Sequence, residues 1–92
     1  MKFEWDEAKN KRNIQKHGID FVDVPDVFKL PMLTGLNHRK EYGEDRWIGI
    51  GLLKNIVVVV VFTERTDEIT RLISTRKATK HECEEYKKAI GY

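Results

Sequence analysis

The longest apolar stretch of the chain lies in its second half and has the composition of β-strands. Residues 46–53 and 56–65 are rich in Val and Ile, which favour extended strands. The dipeptide between them, Lys54-Asn55, has the length of a tight hairpin turn, and Asn tolerates the positive φ that such turns need. Two further strands are expected over residues 32–36 and 68–76. The pattern predicts a small, mostly antiparallel sheet.

Helix signals precede this region. A helix is expected over residues 7–17, with Asp6 as its N-cap and Gly18 as the residue that ends it. A short second segment is expected over residues 21–28. Pro25 lies inside that segment, and a proline within a helix removes a hydrogen bond, so we expect a kink or a later start there.

A last helix follows the strands and carries the clearest local signal. Thr79 and Glu82 stand at the spacing of a capping box, and Gly91 ends the helix. Its apolar stripe, at helical spacing, consists of Cys83, Tyr86 and Ile90. Helices, then strands, then a helix indicate the α+β class.

Pairing through the Lys54-Asn55 turn sorts the hairpin side chains onto two faces. If Leu53 lies opposite Ile56, one face, here called the glycine face, carries Trp47, Gly49, Gly51, Val58, Val60, Phe62 and Glu64. The other, here called the arginine face, carries Arg46, Ile48, Ile50, Leu52, Val57, Val59, Val61 and Thr63. Glycine permits close approach of a neighbouring element, so we expect helices to cover the glycine face.

The third strand adds to both faces. Placing Glu64 opposite Ile69 assigns Ile69, Arg71, Ile73 and Thr75 to the glycine face. It assigns Thr70, Leu72, Ser74 and Arg76 to the arginine face. We therefore expect the functional part of the molecule to be the polar end of the arginine face, formed by Arg46, Thr63, Thr70, Ser74 and Arg76.

The composition and length of the chain exclude several classes of protein. The 92 residues contain no repeat and no linker-like tract, and we expect a single domain over residues 1–92. An apolar content of 40% is too high for a disordered chain, and the seven-residue run at 56–62 is far short of the ~20 residues of a membrane-spanning helix. The charged amino end is unlike a signal peptide, so we expect a cytoplasmic protein.

Chemical motifs are few. The lone Cys83 excludes an internal disulfide and a multi-cysteine zinc site, and we expect it to be packed. His17, His38 and His81 show no metal-ligand spacing, and we expect neither a metal nor a cofactor. No nucleophile elbow, phosphate loop or dinucleotide fingerprint is present. The net charge of +2 does not by itself indicate a nucleic-acid partner.

Arginines on the predicted strands are the remaining candidates, because the guanidinium group suits phosphate oxygens. Each candidate also has a structural interpretation. Arg71 would pair with Glu64 or stack on Phe62. Arg46 would pair with Glu44 or Asp45, and Arg76-Lys77 would be a solvated strand end.

Two other groups of residues are candidates for proton transfer and for phosphate contact. His38, in the polar connection before the hairpin, titrates near neutral pH and suits proton transfer. Lys9, Arg12, Lys16 and His17 form a basic stripe on the first helix. Such stripes are commonly solvated faces and less often phosphate contacts.

Two groups of motifs in this chain resemble the BrnT family of toxins. The first is Phe3-Glu4-Trp5-Asp6-Glu7-Ala8-Lys9, then Asn13 and Lys16-His17-Gly18-Ile19. The second is Gly43-Glu44-x-Arg46, Thr63-Glu64-Arg65 and Arg71-Leu72-Ile73-Ser74-Thr75-Arg76-Lys77-Ala78-Thr79, with Glu82 and Tyr86 beyond. The similarity spans nearly the whole chain in order. Pro25 departs from the family, as does Thr75, where Ala is usual.

The resemblance implies a RelE-like fold and a ribonuclease toxin of a type II toxin–antitoxin pair that cuts RNA without a metal. It also implies a BrnA-type ribbon-helix-helix antitoxin, with operator DNA bound only through the joint complex. On that basis Arg46 and Arg76 would hold the phosphate, Arg71 would be a second choice, and Lys77, Lys9, Lys16 and His17 would attract RNA. His38 or Glu64 would carry the proton. The alternative is an inactive nucleic-acid- or partner-binding domain of the same fold.

Overall fold

A computed structural model describes residues 1–37, 45–66 and 68–91. Its elements are β1 (Lys2–Glu4), α1 (Glu7–His17), a 3-10 helix (Phe21–Lys29), β2 (Leu33–Asn37), β3 (Arg46–Leu53), β4 (Ile56–Thr66), β5 (Ile69–Lys77) and α2 (Lys80–Ile90). One sheet has the strand order β1-β5-β4-β3-β2, and only the β1–β5 pairing is parallel among the described strands. The predicted α+β class and mostly antiparallel sheet are confirmed.

The β3–β4 hairpin has the expected register. Leu53 lies opposite Ile56 and Trp47 opposite Phe62. The turn residue with positive φ is Lys54 (φ 57°), not Asn55. The two hairpin faces are therefore those inferred from the sequence.

Local signals set the ends of α1. The Asp6 side chain accepts hydrogen bonds from the N–H groups of Ala8 and Lys9, and those bonds hold the pKa of this exposed carboxyl below its usual value. Gly18 ends the helix with φ 70°, a left-handed conformation that glycine adopts without strain. The bounds of α1 are those predicted.

The segment with Pro25 is a 3-10 helix rather than an α-helix. Phe21, Val24 and Val27 are fully buried and stand three residues apart. A 3-10 helix has three residues per turn, so these side chains lie on one face and Pro25 lies outside that row. The apolar spacing of three matches the period of this tighter helix.

Helices cover the glycine face, as expected. A Cβ on Gly51 would lie 2.6 Å from Cγ1 of Val27, so the 3-10 helix packs against this part of the sheet only because a side chain is absent. Trp47, which was assigned to the glycine face, packs against the same core. The core beneath these helices consists of Ile19, Phe21, Val24, Val27, Leu53, Val58, Val60, Phe62 and Leu72.

A smaller cluster lies on the arginine face. Tyr86 of α2 is 1% exposed and packs with Ile50 and Val59, and its hydroxyl donates to the carbonyl of Pro31 at 3.2 Å. The capping box of Thr79 and Glu82 is present as predicted. The apolar stripe of α2 therefore holds the helix on this face. No helix in the described ranges is long and apolar enough to cross a membrane.

Candidate functional site

The arginine face has two parts. The α2 cluster includes Ile50, Val59 and Tyr86, with Leu52 and Val57 packed against it near the hairpin turn. Further along the same strands the face continues with Ile48, Val61, Ser74, Arg46, Thr63 and Arg71. All of these except Ile48 lie outside both apolar clusters. This second part is polar and is the candidate site.

The pairing of β4 with β5 differs from the expected one and moves Arg71 to the arginine face. We expected Glu64 opposite Ile69, whereas Glu64 lies opposite Thr70 and Thr63 lies opposite Arg71. The expectation was wrong because the ladder is irregular, with one register shift directly after Val61. A bulge places an extra residue in one strand and reverses which face the following residues share.

The same irregularity moves Leu72 and Thr70 to the glycine face, opposite to their expected position. Leu72 pairs with Phe62 and is 1% exposed in the main core. Thr70 stands two residues earlier on β5 and is also buried. Beyond the bulge, Arg76 keeps its expected face, since it pairs with Val59.

Arg71 is held by a carboxylate that was not predicted from the sequence, that of Glu4. Its Nη1 lies 2.8 Å from Oε2 of Glu4, its cross-strand neighbour on β1. The same oxygen lies 3.8 Å from Nε of Arg65. Glu4 thus orients Arg71, in place of the expected pairing with Glu64 or Phe62. The alternation in Lys2-Phe3-Glu4 is the only sequence signal for this short strand.

Arg76 is anchored to α2. Its Nη1 and Nη2 donate to the two carboxylate oxygens of Glu82 at 2.8 and 2.9 Å. This two-point contact lowers the pKa of Glu82 to about 2 and raises that of Arg76. Arg76 therefore supports the start of α2, and a phosphate would compete with Glu82 for its guanidinium group.

Arg46 and Thr63 complete a row across the strands. On one side, Arg46 pairs with Asn37 of β2. On the other side, Trp47 of β3 lies opposite Phe62 of β4. Arg46 precedes Trp47 and Thr63 follows Phe62, so Arg46 and Thr63 are the next neighbours across these two antiparallel strands. Arg46 and Arg71 thus stand on strands either side of Thr63, on one face. Adjacent strands are about 4.8 Å apart, so the Cα atoms of Arg46 and Arg71 are roughly 10 Å apart. Arg76 lies opposite Val59, which is four residues from Thr63 along β4, or about 13 Å.

Of the two candidate proton carriers, only Glu64 is among the described residues, and it is not on the face of these arginines. Glu64 is exposed and follows Thr63, so it projects from the glycine face at the same end of the sheet. His38 lies outside the described residues. The Thr63-Glu64-Arg65 segment therefore places a hydroxyl and a cation on the arginine face and a carboxylate on the other.

The remaining basic candidates lie on the other side of the sheet. Lys77 pairs with Val58, a glycine-face residue, and lines a cleft of about 280 Å³ together with His17. Lys16 is exposed beside this cleft at the end of α1, and Lys9 is half-buried earlier in the helix. His17 and Lys77 thus lie on the opposite side of the sheet from the row of Arg46, Thr63 and Arg71, and Lys9 and Lys16 lie on α1, which covers that side.

In chemical terms the row can bind an anion. Arginine presents several N–H donors and no acceptor, so two guanidinium groups on one face suit a phosphate group. Within the described ranges, no three His, Cys, Asp or Glu side chains are grouped so as to hold a metal ion. Arg65 extends the positive surface and was not among the predicted site residues.

The fold and this face define the class: a small α+β protein with arginines of two strands, β3 and β5, on one polar face of its sheet. A family model described as the ribonuclease toxin BrnT of type II toxin–antitoxin systems matches residues 5–82, and the chain belongs to this family. The crystal structure of the Brucella abortus ribonuclease toxin BrnT is similar, with a TM-score of 0.68 and 34% sequence identity. The alignment covers 87% of this chain and 99% of that one. A comparison with curated proteins gave no match.

Proposed function

We propose that this chain is an endoribonuclease that cleaves RNA without a metal ion and so inhibits translation. The observation that carries the proposal is the register of β3, β4 and β5, which puts Arg46 and Arg71 on one face either side of Thr63. Membership of a ribonuclease toxin family supplies the class of substrate.

The chemistry follows from what RNA itself provides. The ribose 2′-OH attacks the adjacent phosphorus, the bond to the 5′ oxygen of the next nucleotide breaks, and a 2′,3′-cyclic phosphate forms. Negative charge builds on the phosphoryl oxygens, and fixed donors aimed at that charge lower the barrier. Arg46 and Arg71 fill this role, with Glu4 orienting Arg71 at 2.8 Å.

Proton transfer is assigned to His38 or Glu64. A base must take the proton from the 2′-OH and an acid must protonate the leaving oxygen. Glu64 lies at the correct end of the sheet, although it projects from the other face. A cleavage rate that follows a group titrating near neutral pH would favour His38.

Arg76 and Lys77 are assigned to RNA attraction rather than to the reacting phosphate. Arg76 is engaged by Glu82, and Lys77 lies on the glycine face with His17. With Lys9 and Lys16, these groups contribute a salt-dependent attraction to the RNA backbone. This assignment ranks Arg71 above Arg76 at the phosphate.

The partner is proposed to be a BrnA-type ribbon-helix-helix antitoxin. The type II toxin–antitoxin family implies a protein antitoxin, and the ribbon-helix-helix part of that partner would bind operator DNA. The toxin itself would contact operator DNA only within the complex. An RNA substrate used in translation puts the activity in the cytoplasm.

The site is tested by RNA cleavage with variant proteins. The double change Arg46→Ala plus Arg71→Ala is expected to lower the cleavage rate by about a hundredfold or more, because both phosphate donors are lost. Lys11→Ala plus Lys87→Ala removes the same charge from exposed helix positions and is the matched control, expected to stay near the wild-type rate. Equal loss in both double variants would contradict the site assignment.

The alternative is a nucleic-acid-binding domain of the same fold that lacks cleavage. Binding of RNA by wild type, with no product formed, would favour this alternative. A loss of binding in the double arginine variant would then still locate the RNA contact at Arg46 and Arg71.

A further inference from the structure

The Thr63 hydroxyl is buried without a hydrogen-bond partner. Thr63 is 1% exposed, and its Oγ1 makes no hydrogen bond in the described structure. Buried hydroxyl groups are normally paired, since leaving one unpaired costs stability. Val59 and Val61 precede Thr63 on the same face, and valine has nearly the same shape. Packing alone would therefore favour a valine at position 63 as well.

The side chains that flank Thr63 on the neighbouring strands offer no acceptor for its O–H group. Arg71 lies opposite it on β5, and the β3–β4 register places Arg46 on its other side. An arginine side chain donates hydrogen bonds and accepts none, so the Thr63 O–H has no acceptor on either neighbour. A ligand held by the two guanidinium groups would bring oxygen acceptors to that position.

We propose that Thr63 is an additional substrate-contacting residue, whose hydroxyl donates a hydrogen bond to a non-bridging oxygen of the phosphate bound by Arg46 and Arg71. This rests on the proposed function in so far as the phosphate is that of RNA. The ligand class is a phosphodiester or free phosphate anion. Three strands then contribute one donor each: Arg46 from β3, Thr63 from β4 and Arg71 from β5.

Thr75 provides a matched control within the same sheet. It is fully buried, and its Oγ1 also lacks a hydrogen-bond partner. It lies opposite Val60 on the glycine face, where its backbone N–H donates to Oδ1 of Asn13 at 3.1 Å. This second unpaired hydroxyl therefore lies beneath α1, on the opposite face from Arg46.

The experiment compares Thr63→Val, Thr63→Ser and Thr75→Val with wild type in the full chain. Three readouts are used: the rise in thermal midpoint caused by inorganic phosphate, affinity for a 2′-O-methyl RNA that cannot be cleaved, and the rate of RNA cleavage. The 2′-O-methyl RNA reports the phosphodiester, and inorganic phosphate reports the free anion.

Thr63→Val is expected to fold with a midpoint no lower than that of wild type, since it removes an unpaired buried hydroxyl. It is expected to lose about tenfold in RNA affinity or more, together with most of the stabilisation by phosphate. Thr63→Ser keeps the hydroxyl and is expected to retain both. Thr75→Val is expected to match wild type in both, which also corrects for the general stabilising effect of phosphate salts.

The outcomes separate this inference from the proposed function. If wild type cleaves RNA and Thr63→Val equals it in all three readouts, the Thr63 contact is wrong and the ribonuclease proposal stands. If wild type cleaves no RNA while Thr63→Val alone loses binding, the anion site stands and the ribonuclease proposal fails. Equal losses in Thr63→Val and Thr75→Val would overturn the contact, because they would show a general effect of removing a buried hydroxyl.

Discussion

At the scale of single residues, carboxylate partners distinguish the arginines of the sheet. Arg71 is oriented by Glu4 within the sheet, whereas Arg76 is held through two hydrogen bonds by Glu82 at the start of α2. With the first contact, Arg71 lies next to Thr63 on the arginine face, which also carries Arg46. The second gives Arg76 a structural role that the sequence alone did not indicate.

The Arg76 contact makes stability depend on acid pH. Glu82→Gln is expected to lower stability by about 1 kcal/mol at neutral pH, because the ion pair is partly exposed. The folded-state pKa of Glu82 is lowered from 4.5 to about 2, so its stabilising effect is present above pH 4.5 and is lost as pH falls toward 2. Urea denaturation at several pH values should show the two proteins converging over that range.

The control for this prediction is Glu84→Gln, an exposed change on the same helix. It removes the same charge and should leave stability near that of wild type. If the gap between wild type and Glu82→Gln stayed constant down to pH 2, the ion pair would not be its cause.

At the scale of elements, α1 is held to the molecule by buried amides as much as by apolar contacts. The Asn13 side chain accepts from the N–H of Thr75 at 3.1 Å and donates to the carbonyl of Ile19 at 3.0 Å. Asn10 accepts from the N–H of Phe21 at 2.9 Å. These bonds explain how a helix with little apolar surface is fixed over the glycine face.

Asn13→Ala is therefore expected to be destabilising by about 2–3 kcal/mol, because it leaves two buried backbone groups unpaired. The free energy of unfolding in urea measures this. Gln15→Ala, an amide removal at an exposed position of α1, should change that free energy by less than about 0.5 kcal/mol. Similar losses in both variants would show that helix propensity, not the buried bonds, is responsible.

The contact of the 3-10 helix with the sheet can be tested through a glycine. Gly51→Ala would place a Cβ 2.6 Å from Cγ1 of Val27, and the expected loss of stability is about 1–3 kcal/mol from overpacking. Gly35→Ala on β2 is the control, since no atom lies within 4 Å of its Cβ position. The measurement is the thermal unfolding midpoint of both variants. If the two midpoints fell equally, the contact with Val27 would not be the cause of the loss.

The elements also show which features the sequence determines locally. The bounds of α1 and of β3 were predictable because caps, glycines and Val-Ile runs act over a few residues. β1 was missed, since a three-residue strand that pairs in parallel with β5, far along the chain, has almost no local pattern. The bulge beyond Val61 was missed because residues 69–77 contain no glycine or proline to mark it, and the face of Arg71 was missed with it.

At the scale of the whole molecule, the sheet separates two surfaces. α1 and the 3-10 helix cover the glycine face, and α2 covers the part of the arginine face nearest the hairpin turn. The polar part of that face carries Arg46 and Arg71, while Lys77 and His17 lie on the other side. A net charge of +2 hides this distribution, because the candidate chemistry depends on where the arginines stand rather than on their number.

Metal-independent cleavage is tested most directly by incubating the wild-type protein with an RNA oligonucleotide in excess EDTA. We expect an unchanged rate and a 2′,3′-cyclic phosphate product, because Arg46 and Arg71 rather than a metal ion stabilise the developing charge. We expect no cleavage where the reacting ribose carries a 2′-O-methyl group, since the 2′-OH is the nucleophile. Loss of cleavage in EDTA with recovery on adding Mg²⁺, or equal cleavage of the 2′-O-methyl RNA, would contradict these expectations.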